Sequence, residues 1–261
     1  MDPLTMKRWR FIYSGSKPPA LNMAIDEALL EMHISSCVPI FRIYGWQPHG
    51  FSLGYSQNPA SVLYVDRCEQ NGIPFVKRVT GGGIIFHGDE VTYSIACSEE
   101  DIGPVNSVKD AYKLLCEFIL ETYRRFGLNP YFAIENPNRE KVKSTFCFSS
   151  FEDYDILIGG KKIGGNAQRR KKKVIMQHGS IPITLDMPLI SKYVKEPLAL
   201  AKTNSTSLKE VLGREIPFEE FARVMKESFV SVFKAVLEEK DFSEEENLLI
   251  KTHLEIVNRR K

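Results

Sequence analysis

The stretch 144–168, STFCFSSFEDYDILIGGKKIGGNAQ, sets one cysteine, Cys147, fifteen positions ahead of a lysine, Lys162, enclosed by Gly159, Gly160, Gly164 and Gly165. A thiolate attacks acyl carbon, and an ammonium held beside it favours the thiolate over the thiol. The same lysine could later help to manage the proton of an attacking amine. Each residue also has a bland reading, as a small buried hydrophobe for the cysteine and a solvated hairpin side chain for the lysine. Two features weigh against the bland pair. Cys147 lies in a Ser- and Phe-rich stretch without helical period, and glycines on both sides of Lys162 let a ligand approach the backbone. Cys68, Cys97 and Cys116 take the packing reading.

A second candidate is RVTGGGIIFH, with Gly81, Gly82 and Gly83 in a row after Arg78 and Thr80. It lacks the GK[ST] ending of a P-loop and the GxGxxG spacing of a dinucleotide fold, so nucleotide binding is not indicated. Its backbone amides would suit a carbonyl or thioester oxygen as well as a phosphate. His87 and His178 read as histidines in glycine-adjacent loops, more often structural hydrogen-bonders than ligands, and neither stands at metal-ligand spacing. The basic run RRKKK at 169–173 reads as a solvated loop or as a landing point for an acidic protein.

The elements that must position these residues follow from periodicity. ALNMAIDEALLEMH reads as an amphipathic helix, with Leu21, Ile25, Ala28, Leu29 and Met32 inward, Asn22 as its cap and Asp26 and Glu27 on its polar face. PIFRIYGWQPHGFSLGYSQ reads as a two-strand hairpin with a wide turn. Runs at 73–79 and 91–97 read as strands around the triple glycine. Ser107 and Asp110 cap a helix whose face is Ala111, Leu114, Leu115, Phe118 and Ile119, with Gly127 past its end. YDILIGGKKIGGNAQ predicts a strand, a Gly-Gly turn and a strand beginning near Lys162. KVIMQHGSIPITLD predicts a further strand pair. Two helices close the chain, one starting at Pro217 and one capped by Ser243 with Glu246.

With 261 residues, 43% of them hydrophobic, the chain can bury a full core, and without repeats or linkers a single α+β domain over 1–261 is expected. A net charge of +2 excludes a strongly basic nucleic-acid binder. Five cysteines, an odd number without CxxC spacing, predict neither a disulfide framework nor a structural metal, and fit reduced thiols. No segment has the apolar length of a membrane span. The expected protein is cytoplasmic, monomeric, and bound to neither nucleic acid nor membrane.

The motifs resemble a known family. RVTGGGIIFHGDEVTYSIA resembles the RRxTGGGxxxHxxxxxYS signature of the lipoate and biotin protein ligase superfamily, and GGKKIGGNAQRRKKKVIMQHGSI resembles its GxKIxGxAQ...HGS lysine motif. FRIYGWQPHGFSLGYSQ and NMAIDEALL match its N-terminal motifs and TNSTSLKEVLG a later one, so the resemblance runs from about residue 8 to about residue 235. Within it, a Cys-Phe pair fifteen residues ahead of the motif lysine looks like the LipM-type octanoyltransferases. Two positions depart from the pattern: Lys77 stands where an arginine is common, and Gly88 follows His87 where an aspartate is usual.

The resemblance implies an α+β fold of mixed, largely antiparallel sheets packed with helices. It implies transfer of an octanoyl group from octanoyl-acyl carrier protein to the lysine of a lipoyl domain, such as glycine cleavage H protein, without ATP, cofactor or metal. It places the nucleophile on Cys147 and the invariant lysine on Lys162. The acyl pocket falls on Arg78, Thr80, Gly81, Gly82, Gly83 and His87, with Gly165, Asn166, Ala167, Gln168, His178 and Gly179. Ile84, Ile85 and Phe86, or Phe146 and Phe148, are candidate walls for the chain, whose burial is worth about 0.8 kcal/mol per methylene. The main rival is an ATP-dependent lipoate-protein ligase, which would have no use for Cys147 and often carries an extra C-terminal domain. The roughly 25 residues after position 235 are too few for one. A relative that moves octanoyl groups between lipoyl domains sets its cysteine in another context. A non-catalytic binding module would leave both Cys147 and Lys162 unexplained.

Overall fold

The computed structural model describes residues 6–136, 152–196 and 204–260. Strand β1 (Lys7–Lys17) leads through helix α1 (Pro19–Ser36) to β2 (Ile40–Trp46), which lies parallel to β1. Parallel neighbours need such a crossover. Every residue of β2 is buried, the mark of a strand covered on both faces.

β3 (Gly50–Leu53), β4 (Phe75–Lys77) and β5 (Ile85–His87) make a separate three-stranded sheet in the order β4-β3-β5. The expected hairpin between β2 and β3 is therefore not formed. β3 finds partners on both sides, Phe51 pairing with Phe75 and with Phe86, and becomes the centre of its own sheet. β6 (Glu90–Ser98) returns to the main sheet, and helix α2 (Val108–Arg125) follows, with the Ser107 hydroxyl accepting from the Asp110 amide as the capping pattern predicts.

β7 (Tyr131–Phe132), β8 (Ile156–Ile158) and β9 (Lys161–Lys162) form a small antiparallel sheet. β10 (Gly165–Lys171) and β11 (Val174–Pro182) pair antiparallel in the main sheet. The strand pair expected after the basic run is thus the single strand β11. The basic run itself is no loop: residues 169–171 end β10, and Lys172 and Lys173 make its turn. Helix α3 (Phe218–Phe233), strand β12 (Ala235–Glu239) and helix α4 (Glu244–Arg259) end the fold. Both closing helices are as expected, α4 with its Ser243/Glu246 capping box; β12 between them was not foreseen. The main sheet runs β10-β11-β6-β2-β1-β12.

One face of that sheet meets α2 and α3 in an aromatic core. Phe229 of α3 stacks on Phe41 of β2 with ring centroids 4.1 Å apart and meets Phe118 of α2 edge-on at 5.2 Å, a geometry that adds to area burial. Cys97 and Cys116 belong to this core, and burial pushes both thiols far above the ordinary range, which bears out their packing role.

The other face is covered by α1, and α1 is covered in turn by α4. Sandwiched in this way, α1 has little polar face left: Asp26 and Glu27 are both buried. The helix begins at Pro19, three residues before the expected cap, so Asn22 lies inside it, donating from Nδ2 to the Lys17 and Gly45 carbonyls. Glu27 turns toward α4, where Arg260 donates to it and His253 lies 3.5 Å away, with Glu31 at 3.4 Å from the other ring nitrogen. The Glu27 carboxylate, opposed by burial and aided by Glu31, raises the pKa of His253.

A raised histidine stabilises the fold in full below its unfolded pKa, near 6.5, and loses that contribution as pH rises through the folded value. The parent protein is therefore expected to melt at a higher temperature than His253→Asn at pH 6, the difference corresponding to roughly 1 kcal/mol of stability. By pH 9 the gap should close; a gap independent of pH would show that His253 acts through packing alone.

Candidate active site

Gly159 and Gly160, both at positive φ, turn the chain between β8 and β9. In this register Leu157 pairs with Lys162 and Ile158 with Lys161. Side chains alternate across a strand, so Lys161 is exposed while Lys162, 2% exposed, points inward with Leu157. Asp155, two residues before Leu157, shares that face and stands diagonal to Lys162. The Lys162 ammonium donates to Asp155 Oδ2 at 2.6 Å, and the same oxygen accepts the Glu152 amide at 2.8 Å.

A chain of buried hydrogen bonds runs behind the triple glycine. Asp26 of α1 accepts from Arg42 Nη1 and the Tyr44 hydroxyl, both at 2.8 Å, and from His178 Nδ1 at 3.0 Å. The other nitrogen of His178 meets the Thr80 hydroxyl at 2.8 Å, and that hydroxyl accepts from Arg78 Nε. Arg78 then spreads its remaining donors over Ser52 and over the carbonyls of Gly81 and Gly83, the last two at 2.7 Å. From Ser52 the chain passes to His87 Nε2 at 2.7 Å and from His87 Nδ1 to Glu90 at 2.8 Å. Thr92 and Ser180 also donate to Glu90.

Charge states follow from these contacts. Burial raises Asp26, but the hydrogen bond from His178 and the charge of Arg42 outweigh it and hold the carboxylate below its usual range. Burial, supported by Arg78 against the pull of Glu90, lowers His87, so its ring is neutral, donating to Glu90 and accepting from Ser52. Burial raises the phenol of Tyr44 well above its ordinary value, with Asp26 adding to it, so Tyr44 stays a donor.

Two adjoining cavities meet here. An open cleft of roughly 700 Å³ is walled by Lys162, Asp155 and Glu152 on one side, Tyr112 of α2 on another, and Gly81, Gly82 and Gly83 with Asn166, Ala167 and Gln168 opposite. Gly82, Asn166 and Ala167 also border a narrow inner slot, whose deeper walls are Met23, Tyr44, Trp46, Ile85, His87 and Thr92. Many of the lining residues are polar, yet the surface they offer the slot is mostly carbon. Their polar atoms are spent on one another, and Trp46 lies flat on His87 at 3.6 Å. The triple-glycine loop seals against β3 so closely that a Cβ at Gly54 would lie 2.0 Å from the Gly82 carbonyl, and Gly82 itself sits at φ +94°.

Of the residues expected from sequence, the described ones are brought together. Arg78, His87, His178, Gly165 and Gly179 border the slot, Gly81, Gly83, Gln168 and Lys162 the cleft, and Gly82, Asn166 and Ala167 both, while Thr80 stands behind them in the hydrogen-bond chain. Asn166 is held by the Tyr93 hydroxyl at 2.8 Å and, through its carbonyl, by Tyr112. Cys147, Phe146 and Phe148 lie outside the described residues. His87 and His178 are on strands β5 and β11, not in loops, because both side chains find buried partners there. Of the three candidate slot walls after the glycines, Ile85 borders the slot, whereas Ile84 and Phe86 pack with Phe51, Leu63 and Tyr193 under the small sheet. Met23, Tyr44, Trp46 and Asp155 were not foreseen. For Asp155 the signal was present in the hairpin register; for the other three only the matched segments pointed that way. Among the described residues no group of His, Cys, Asp or Glu is arranged to hold a metal ion, and no helix is long and apolar enough to cross a membrane.

The family model of the lipoyl protein ligase A/B catalytic domain matches residues 18–230. Octanoyltransferase LipM of Bacillus subtilis is 36% identical over 252 residues, 91% of each chain, and octanoyltransferase LipM of Geobacillus kaustophilus is 36% identical over 256 residues, 93% of this chain and 92% of its own. Among solved structures, lipoate-protein ligase A bound with ATP aligns with a TM-score of 0.78 over 96% of this chain and 95% of its own, at 19% identity. A bi-partite lipoate protein ligase from Thermoplasma acidophilum aligns with a TM-score of 0.77 over 95% of this chain and 92% of its own, also at 19% identity. At that identity the structural likeness concerns the fold.

Asp26→Asn leaves Arg42 buried without its counter-charge and is expected to cost about 3–5 kcal/mol at neutral pH, measured by urea unfolding. Because the carboxylate is depressed in the folded state, the parent protein should lose this advantage only as pH falls through the acid range, below the unfolded carboxylate value. A loss under about 1 kcal/mol at pH 7 would mean that Asp26 is dispensable to the chain of hydrogen bonds.

Proposed function

The chain belongs to the lipoyl protein ligase A/B catalytic-domain family, alongside the octanoyltransferases LipM, and from that premise we propose that it transfers an octanoyl group from octanoyl-acyl carrier protein to the lysine of a lipoyl domain, such as glycine cleavage H protein. The observation that carries this reading is the adjacency of the two cavities: an apolar slot that shares Gly82, Asn166 and Ala167 with a cleft walled by a buried lysine. An octanoyl chain entering the slot would gain by losing contact with water, and its carbonyl would then stand at the junction.

In this mechanism Cys147 is the nucleophile. Support comes from its type and spacing in the sequence and from Glu152, five residues later, which lines the same cleft as Lys162. The Cys147 thiol gives up its proton to water, its thiolate adds to the donor thioester, the bond from the carbonyl carbon to the carrier sulfur breaks, and the carrier leaves as a thiol by taking an equivalent proton back from water. Backbone amides of the triple glycine or of the lysine strand are the candidate donors to the oxyanion. One thioester replaces another, so the step is near balance and needs no ATP. The neutral acceptor amine then adds to the acyl-cysteine, the bond to Cys147 sulfur breaks, and the proton given up by nitrogen returns to sulfur. Formation of the amide drives the sequence. We take 1–261 as one catalytic domain working as a monomer in the cytoplasm, and Arg78, Thr80, His87, His178 and Gly179 as the frame of the acyl site.

Intact-protein mass after mixing with octanoyl-acyl carrier protein, without ATP, tests the reaction. A hydroxylamine-sensitive octanoyl adduct is expected on the parent protein and not on Cys147→Ala, and an apo lipoyl domain should discharge it. Modification of the lipoyl domain only when octanoate or lipoate is supplied with ATP would make the protein a ligase. The basic β10–β11 turn gives a second test. Replacing Lys171, Lys172 and Lys173 by Glu is expected to raise KM for the acidic carrier several-fold and to weaken its salt dependence, while kcat holds. An unchanged KM across salt would leave the turn without a docking role.

A further inference from the structure

We propose that Asp155 is a positioning residue that keeps Lys162 a fixed ammonium in the cleft wall, so that Lys162 serves the reaction as a positive charge and never as a base. The inference rests on the acyl-transfer reading above and assigns its buried lysine one of two possible roles.

A lysine 2% exposed must either neutralise or find a counter-charge, because burying a lone ammonium is too costly. Asp155, also buried, meets it at 2.6 Å, within the range of charge-assisted hydrogen bonds. The carboxylate is itself held by the Glu152 amide, so it cannot swing away with solvent. Among the described residues, further charged and titratable groups surround the pair, Tyr154 of the cleft wall among them. Glu152 and Asp153 flank the pair from the same segment, and Lys109, the cation facing in from α2, is engaged with Asp153 at 3.4 Å. Tyr112 of α2 donates its hydroxyl to the Asn166 carbonyl. Lys161 points to solvent, and Glu210, behind the Lys162 backbone, accepts from Thr206.

An ammonium has no lone pair and accepts no proton. When the acceptor nitrogen bonds to the acyl carbon and the carbon–sulfur bond breaks, the proton from nitrogen therefore goes to the departing sulfur, and Lys162 keeps its own. The charge of Lys162 is then worth most where negative charge gathers, on the thiolate before attack and on the carbonyl oxygen during it.

Asp155→Asn keeps the shape and an oxygen for the Glu152 amide but removes the counter-charge. Two readouts are taken across pH 6 to 10: the ammonium nitrogen signal of Lys162 by NMR, assigned by its loss in Lys162→Arg, and the single-turnover rate of octanoyl transfer. In the parent protein the signal should persist to the ordinary lysine range, near pH 10. In Asp155→Asn both the signal and the rate should fall at a pH lower by about one unit or more, a tenfold or greater change in the lysine's proton affinity. Asp155→Glu retains the charge and should retain the parent's pH profile whatever it loses in rate, and a shifted profile there would overturn the inference. So would a Lys162 signal unmoved in Asp155→Asn, or a rate reduced by the same factor at every pH, which is what a purely structural role predicts. Failure of the transfer reading looks different: the parent protein itself would then show no ATP-independent transfer, and the catalytic half of this inference would fall with it.

Discussion

Arg78 is the point through which the site is held together. Its guanidinium is buried, so each donor must find an acceptor, and it finds them on four residues from two parts of the chain: Ser52 of β3, and Thr80, Gly81 and Gly83 of the glycine loop. A planar fork with a fixed spread of donors imposes one arrangement on a loop whose glycines could otherwise take many. The triple-glycine loop is thereby shaped from behind, by a side chain, and its outer face is left for the cleft. The same guanidinium links two histidines, His178 through Thr80 and His87 through Ser52, so strands from both sheets and helix α1 are registered against each other.

This arrangement explains how a slot lined by so many polar residues can be apolar. A free serine, threonine or histidine in the wall would bring water with it. Here each is saturated by a neighbour, at the cost of having to bury Asp26 and Glu90 as the chain's final acceptors. Arg42 and Tyr44 stabilise the first and Thr92 and Ser180 the second. α1 has to be buried on both sides for Asp26 to reach His178 without solvent, and α4 supplies the outer cover. The last helix thus bears on the slot both through α1 and directly, since its Val257 and Leu254 cluster with Met23, Tyr44 and Trp46 of the slot wall.

Sequence made the site partly legible. Glycine runs, the lysine in its glycine box and the two histidines were visible as types and spacings, and the main helices were visible through caps and period. What could not be read was which sheet a strand joins. β3 follows β2 after a short turn, and nothing local says that Phe51 prefers Phe75 and Phe86 to the strand just left behind. Burial of α1 was hidden for a similar reason. Asp26 and Glu27 look like a solvent face until Arg42, His178, His253 and Arg260, all distant in sequence, are brought alongside. Asp155 is the opposite case. The Gly-Gly turn fixes the hairpin register, and that register alone sets Asp155 diagonal to Lys162.

The end of β10 has a consequence for solubility. β10 is an outer strand of the main sheet, and an outer strand with unpaired backbone groups invites another copy to continue the sheet. Two copies pairing through this edge in a register centred on Arg170 would set Arg169, Arg170 and Lys171 of one against the same side chains of the other, with Lys172 and Lys173 close by at the turn. Whatever protein this basic strand meets in the cell, its cationic side chains oppose that register of edge-to-edge pairing at the margin of the sheet that borders the candidate site.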